Sequence, residues 1–378
     1  MIFTIEKKCT QTKARTGTLN LPHGNVQTPI FMPIGTLASI KSLTMSEVEE
    51  LGAQIILGNT YHLWLKPGME VIQKAGGLHK FGTWNGPILT DSGGFQAFSL
   101  AKIRKFTEEG VRFKVPASGE ERFLSPEISM QIQTTIGSDI ALVLDEALSA
   151  EVNEMEARRA MQRTRRWAER SKNEFERLRE QTGHKNLLFG IPQGAQFPIL
   201  RRESARLTME LDFPGYSIGG VANGGEPEEV MYSQVLAQTE ILEDHKPRHL
   251  LGVGTPLDIV QMTARGVDMF DCVYPTRNAR HGSLFIELDD FSYSAVQISS
   301  TRFQLDFSPI NPSSRFSDLR TYSKAYLCHL FRSNELLAYR LATLNNLEFY
   351  LNLTTKIRTK INDDTFKDWY KDYKRVVL

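Results

Sequence analysis

Two aspartates in this chain stand where glycosyl chemistry would need them. Asp271 closes a short apolar run, 269–271, and opens Cys272-Val273-Tyr274-Pro275-Thr276-Arg277-Asn278-Ala279-Arg280, which is rich in arginine. A carboxylate so placed can serve as a nucleophile beside cations that hold phosphate. Asp91 takes an equivalent place, after Pro87-Ile88-Leu89-Thr90 and before Ser92-Gly93-Gly94-Phe95-Gln96, where glycines let a flat ligand approach the backbone. Paired carboxylates suit a reaction in which one attacks an anomeric carbon and the other moves a proton, with no metal or redox cofactor required. Taken singly, Asp91 would serve equally well as a helix N-cap.

Such groups need a scaffold that gathers strand ends. Short apolar runs alternate with amphipathic stretches at 29–33, 54–57, 87–89, 140–144, 187–191, 216–218, 249–251 and 269–271. Their near-continuous apolar character predicts parallel strands buried on both faces, with helices between them, for example over 226–243. Eight β/α units predict an α/β fold of the TIM type, an eight-stranded parallel barrel. The polar and glycine-rich groups fall at the carboxyl ends of these runs: Asn59-Thr60, Asp91-Ser92, Asp145-Glu146, Gln193-Gly194, Gly219-Gly220, Gly252-Val253-Gly254 and Asp271. That end is where such barrels keep their active sites. Between 89 and 140, alternation of Ile103, Phe106, Val111, Phe113 and Val115 with turn signals at Glu108-Glu109-Gly110 and Pro116-Ala117-Ser118-Gly119 predicts an inserted antiparallel hairpin unit at about 100–125. The expected organisation is a barrel over 1–275 carrying that insertion, an irregular subdomain over 276–334, and C-terminal helices over 335–378 that complete the barrel.

Lys+Arg 45 against Asp+Glu 44 leaves a net charge of +1, so bulk charge offers nucleic acid nothing and any RNA contact needs a local patch. The long helix expected over 151–180 is not that patch, because its arginines alternate with glutamates as in a solvated, ion-paired face. The three cysteines, Cys9, Cys272 and Cys328, lie far apart, which excludes a disulfide framework and a Cys-only zinc site. The absence of a signal-peptide pattern and of a membrane-length apolar run predicts a cytoplasmic protein with no membrane partner. Gly252-Val253-Gly254 lacks the third glycine of a dinucleotide turn, and Cys328-His329 has no further ligands nearby.

The segments Thr90-Asp91-Ser92-Gly93-Gly94-Phe95-Gln96 and Asp268 to Arg280 resemble the signature motifs of the tRNA-guanine transglycosylases, and the likeness runs along nearly the whole chain. Members of that family exchange the wobble guanine of tRNAs with a U-G-U anticodon for a 7-deazaguanine base. The resemblance implies that Asp271 is the covalent nucleophile and Asp91 the general acid/base, with Asn59 and Thr60 close to it. It assigns hydrogen bonds to the base to Ser92, Asp145, Gln193 and the Gly220 backbone, puts Val221 in the same set, and has Phe95 and Leu251 sandwich the ring. Arg277 and Arg280 match positions that contact the anticodon.

The likeness breaks in one place. Bacterial members carry a Cys-x-Cys-x-x-Cys zinc motif after an Asp-Phe-Ser-Pro-like segment, with a later histidine as fourth ligand. Here Asp306-Phe307-Ser308-Pro309 is present, but the cysteine places hold Ser314, Phe316 and Leu319, and the histidine place holds Asn345. The expectation is a subdomain without structural metal, held by packing. Ala147 in place of a cysteine and Asn223-Gly224-Gly225 in place of a valine predict room for queuine, beside its smaller precursor 7-aminomethyl-7-deazaguanine. A reading of another class, a non-catalytic RNA-binding or partner subunit, is prompted by the lost ligands and opposed by the retention of both aspartates. Bacterial relatives are homodimers, which leaves a homodimer open for this chain.

Overall fold

The computed structural model describes residues 1–99, 104–116, 118–149, 151–221 and 227–378. Every one of the eight apolar runs overlaps a three-residue buried strand: β1 (Ile30–Met32), β2 (Ile56–Gly58), β3 (Ile88–Thr90), β4 (Ile140–Leu142), β5 (Leu187–Phe189), β6 (Tyr216–Ile218), β7 (Arg248–Leu250) and β8 (Met269–Asp271). All of them pair in parallel. Ile34–Gly35, which carries β1 past Pro33, pairs with β2, and the order continues through β3 and β4 to β5. A second sheet runs β6, β7, β8, β1. Between the two, a parallel bridge joins Gly190 to Tyr216, and the Ser217 N–H donates to the Gly190 oxygen at 2.8 Å. The chain is thus an α/β protein built on parallel strands, with apolar residues on both strand faces as burial under helices requires.

Helices follow the strands and are started by sequence-local devices. Thr44, Asn153 and Thr255 each form a capping box with the residue three positions on, and prolines occupy the first turn at Pro126, Pro198 and Pro256. The helix Glu154–Thr182 buries Ala157, Ala160, Met161, Thr164, Trp167, Ala168 and Phe175 at helical spacing and ends at Gly183, whose φ is +67°. Its arginines are paired as the charge pattern predicts: Arg158 with Glu203 at 2.7 Å, Arg163 with Glu146 at 2.6 Å, and Arg170 with Glu127 at 2.8 Å. The expected 226–243 helix is observed as Glu228–Thr239.

The insertion is a three-stranded antiparallel sheet, Arg104–Phe106, Val111–Lys114 and Glu121–Leu124, one strand more than a hairpin. Lys102, Ile103 and Ala117 of that stretch lie outside the described residues. Its Glu108 turn is gripped by the long helix: Arg166 takes the carboxylate through two bonds of 2.6 and 2.9 Å, and Trp167 Nε1 donates to the Glu108 oxygen at 2.8 Å. The stretch 276–334, expected to be irregular, holds a hairpin, Ser283–Asp289 with Ser292–Gln297, and the helices Ser317–Thr321 and Lys324–Arg332. The helix Leu336–Asn362 then packs against β1 and the hairpin; Arg358 donates to the Pro29 oxygen at 2.7 Å, and Asn346 Nδ2 to the Pro275 oxygen at 3.0 Å.

Three further strands that the apolar pattern does not announce, Phe3–Lys8, Arg15–Leu21 and Gly24–Thr28, form an antiparallel sheet at the amino ends of the parallel strands. Arg15 is buried there in a two-bond pair with Asp268, the residue before β8, at 2.8 and 2.6 Å. Among the described residues no helix is long and apolar enough to cross a membrane.

Candidate active site

Asp91 leaves β3 into a cage of neutral donors. Asn59 Nδ2 and Gln96 Nε2 donate to its Oδ2 at 2.5 and 2.9 Å, and the Thr60 and Gly93 N–H groups donate to its Oδ1 at 2.9 and 3.2 Å. Thr60 opens the helix Thr60–Leu65, so Asp91 caps the helix of the preceding unit. Burial pushes the Asp91 carboxyl up to about 6, while Asn59, Thr60 and Gln96 pull it back and the Asp271 charge adds to the rise. A carboxyl with that value passes protons in either direction near neutral pH.

Asp271, at the end of β8, is buried except for a small window of 6%. Its Oδ1 accepts the Gly252 N–H at 3.1 Å and lies 2.7 Å from His249 Nε2. The two carboxylates therefore come from separate units, β3 and β8, and are near enough for one charge to raise the other's value.

Three further predicted residues form one hydrogen-bonded row. Asp145 follows β4 and accepts from Ser92 Oγ at 3.0 Å and from Gln193 Nε2 at 2.6 Å. Burial pushes this carboxyl up as well, against the pull of Gln193 and Ser92. Gln193 rests on the Gly219-Gly220 turn that follows β6. Gly220 has φ +64°, and a Cβ there would sit 2.3 Å from Gln193 Oε1, so both backbone and space demand glycine. Fully buried Arg201 supports the turn from behind, donating to the Gly219 and Gly220 oxygens at 3.0 and 2.5 Å. Gln238 donates to the Gln193 oxygen at 3.1 Å.

Val221 and Ala147 are buried close to these groups in sequence, whereas Asn223, Gly224 and Gly225 lie outside the described residues. Phe95 is 46% exposed and Leu251 half-buried, which leaves apolar surface for a flat ring to cover. Arg277 is exposed on the helix Tyr274–Arg280, while Arg280 is half-buried and donates to the Thr276 oxygen at 2.9 Å. Burial and the neighbouring Arg277 charge lower the Arg280 value.

Sequence reasoning missed Gln96, Ser217, His249, Arg201 and Gln238 as parts of this site. Ser217 left a signal as the polar residue between Tyr216 and Ile218, whereas His249 sits beside Arg248 in a strand with a single apolar residue. Arg201 and Gln238 left none, because a polar residue on a helix is ordinary until the fold buries it.

Zinc does not fit the place where bacterial members hold it. Phe316 and Leu319 are buried hydrocarbon with no donor atom, and the Asn345 amide is spent on the Phe285 oxygen at 3.0 Å. Buried Glu348 ties this region together, accepting Ser314 Oγ at 2.5 Å and the Arg315 N–H at 2.8 Å. Elsewhere, His23, His79 and Asp139 bring possible ligand atoms within 4.8 Å of one another. The imidazoles stack at 3.7 Å with planes only 19° apart, so their in-plane lone pairs run side by side instead of converging on an ion.

Parallel strands with helices between them, and carboxylates gathered at the strands' carboxyl ends, define an α/β protein with the apparatus for glycosyl transfer. The model of the family described as queuine tRNA-ribosyltransferase matches residues 9–377. The queuine tRNA-ribosyltransferase of Neisseria meningitidis serogroup A is 49% identical over 371 residues, covering 98% of this chain and 97% of that protein. The protein of the same name from Acidovorax ebreus is 49% identical over 382 residues, covering 96% and 95%. This chain belongs to the queuine tRNA-ribosyltransferase family.

Proposed function

We propose that this protein is a tRNA-guanine transglycosylase acting on the wobble guanine of U-G-U anticodons. The observation that carries the reading is the pair Asp91 and Asp271, held on different strand ends beside the Ser92, Asp145 and Gln193 row. Asp271 attacks the ribose anomeric carbon as the bond to guanine breaks, and Asp91 delivers a proton to the departing base. The incoming 7-deazaguanine gives a proton to Asp91 as its ring nitrogen attacks the same carbon, and the Asp271 carboxylate leaves. Two inversions retain the configuration, and the phosphate chain stays intact.

Asp145, with Ser92 and Gln193, offers acceptors and donors to a guanine edge; Phe95 and Leu251 take its faces, and the Gly220 and Val221 backbone lines one side. The anticodon would meet Arg277 and Arg280, since a net charge of +1 supplies no other attraction. The parallel pairings from Ile34–Gly35 round to β1, with the Gly190–Tyr216 bridge, support closure of the eight strands into one barrel over 1–275. The segment 276–334 then forms a subdomain without structural zinc, and 335–378 packs back on the barrel. Zinc well below one per chain in elemental analysis is the expected result; a tightly held zinc would overturn that part. We expect it to work in the cytoplasm, and sedimentation velocity distinguishes a monomer from a homodimer.

The test is exchange of radiolabelled guanine into a wobble-guanine tRNA. The wild type should incorporate label and form a denaturation-resistant tRNA adduct, and Asp271→Asn should form none. The alternative of a non-catalytic subunit predicts tRNA binding with no incorporation by the wild type alone.

A further inference from the structure

We infer that His249, oriented by Ser217, is a positioning residue that locks one oxygen of Asp271 and leaves the other to attack. The inference rests on the reading of Asp271 as nucleophile. Ser217, His249 and Asp271 lie on three successive strands, β6, β7 and β8. Ser217 is in register with His249, and His249 with Met269, so Asp271, two residues on from Met269, projects from the same face.

The contacts define the hydrogens. Asp271 as a nucleophile is ionised and can only accept, so His249 Nε2 carries a hydrogen and donates it across 2.7 Å to Oδ1. Nδ1 is then an acceptor, and the Ser217 hydroxyl, 3.0 Å away, donates to it. Ser217 and His249 are completely buried, so neither hydrogen bond has water as a competitor. The Gly252 N–H gives Oδ1 its second donor at 3.1 Å. Among the described residues nothing donates to Oδ2. The carboxylate is thereby fixed in rotation, with a doubly satisfied oxygen facing inward and an unencumbered oxygen left for the anomeric carbon.

This arrangement needs no second proton on the imidazole. A neutral ring orients Asp271 without placing a full positive charge against the attacking group, which would stabilise the ground state and raise the barrier. Arg or Lys in that role would give the tight, saturated pair that Asp268 makes with Arg15. The same triad logic, a third group fixing the tautomer of a histidine that fixes a reacting group, is used where acyl transfer needs an oriented imidazole. Here the order is reversed, and the carboxylate at the end of the chain is the group that reacts.

The experiment is single-turnover adduct formation with full-length protein and tRNA, alongside steady-state kcat and KM. His249→Phe keeps the ring volume and removes both nitrogens; we expect adduct formation to slow by about 10²-fold with KM for tRNA within about twofold. His249→Gln can place an amide N–H near the Nε2 position and should recover at least about tenfold of that loss. Ser217→Ala should slow the step by about three- to tenfold. Wild-type rates in His249→Phe, a loss confined to KM, or a Gln variant no better than Phe would each overturn the inference. Should His249→Phe fail to fold, Ser217→Ala and His249→Gln decide on the same readouts. Asp271→Asn runs in parallel: an adduct from that variant sinks the nucleophile reading itself, whereas its absence together with wild-type rates in His249→Phe sinks only the role given to His249.

Discussion

At the amino ends of the parallel strands the buried Asp268 meets an arginine, and at the carboxyl ends Asp91 and Asp145 meet neutral donors. Asp268 is clamped by the Arg15 guanidinium and the Arg248 N–H, and Asp139 takes the Ile88 and His23 N–H groups and lies against both His23 and His79. For Asp139, burial would push the carboxyl up, but the bonds from His79, Ile88 and His23 outweigh it and hold it below the ordinary value. Asp91 and Asp145 are buried too, but among the described residues their hydrogen-bond partners are amides, hydroxyls and backbone N–H groups, and both are pushed up. Burial raises the carboxyl at both ends, and whether the surrounding bonds outweigh it separates Asp139 from Asp91 and Asp145.

The largest expected effects set one end against the other. Asp271→Asn should lower exchange by about a thousandfold or more, while an amide oxygen remains for His249 and Gly252 and stability shifts by less than about 1 kcal/mol. Asp268→Asn should do the opposite. It leaves the buried Arg15 charge uncompensated, costing about 3–5 kcal/mol in urea denaturation, with exchange per folded molecule unchanged. Equal stability losses in the two variants would erase the distinction between the ends.

The pH dependence sharpens it. In the proposed mechanism Asp91 is protonated to release guanine and ionised to receive the proton of the incoming base, so adduct formation should fall as pH rises through about 6 and discharge should rise through the same value. Rapid-quench measurements of each half-reaction would show this, and Asp91→Asn should remove both limbs. The linked stabilities have opposite signs. Asp91, raised on folding, favours the native state increasingly as pH falls through about 6 toward the unfolded carboxyl value. Asp139, lowered on folding, contributes fully above the unfolded value and loses its contribution as pH falls through its own lower one.

Smaller effects concern the substrate. Arg277→Ala should reduce the salt slope of anticodon stem-loop binding by roughly one unit, and Arg280→Ala by less, because Arg280 already serves the Thr276 oxygen. An unchanged slope in the double variant would move the RNA site. The smallest concerns the base. With Ala147 at the buried position, queuine should compete with 7-aminomethyl-7-deazaguanine for one tRNA, and Ala147→Cys should penalise queuine by about 1–3 kcal/mol relative to guanine. Exclusive use of the aminomethyl base would refute the enlarged pocket.

Much of this was legible in the chain. The eight strands show as apolar runs because parallel strands buried on both faces have no polar side to blur them, and Asp91, Ser92, Asp145, Gln193 and Asp271 show because each ends such a run. The first three strands were not legible: Arg-Thr-Gly-Thr-Leu-Asn-Leu reads as a strand only once Arg15 is known to bury its charge on Asp268, which is 253 positions away. The hairpin Ser283–Asp289 with Ser292–Gln297 was hidden for the same reason, since Asn346 on a distant helix supplies a bond to its Phe285 N–H.

What the sequence alone determined is therefore the eight parallel strands, the family likeness and the two aspartates at strand ends, all properties of residue type and local spacing. The tertiary structure decided which buried carboxyls are raised and which lowered, that Gln193 rests against the Gly219-Gly220 turn with Arg201 behind it, and that His249 lies in hydrogen-bonding contact with Asp271. A carboxyl's behaviour depends on solvent exclusion and on charges a few ångströms away, and residues from strands far apart in sequence supply both.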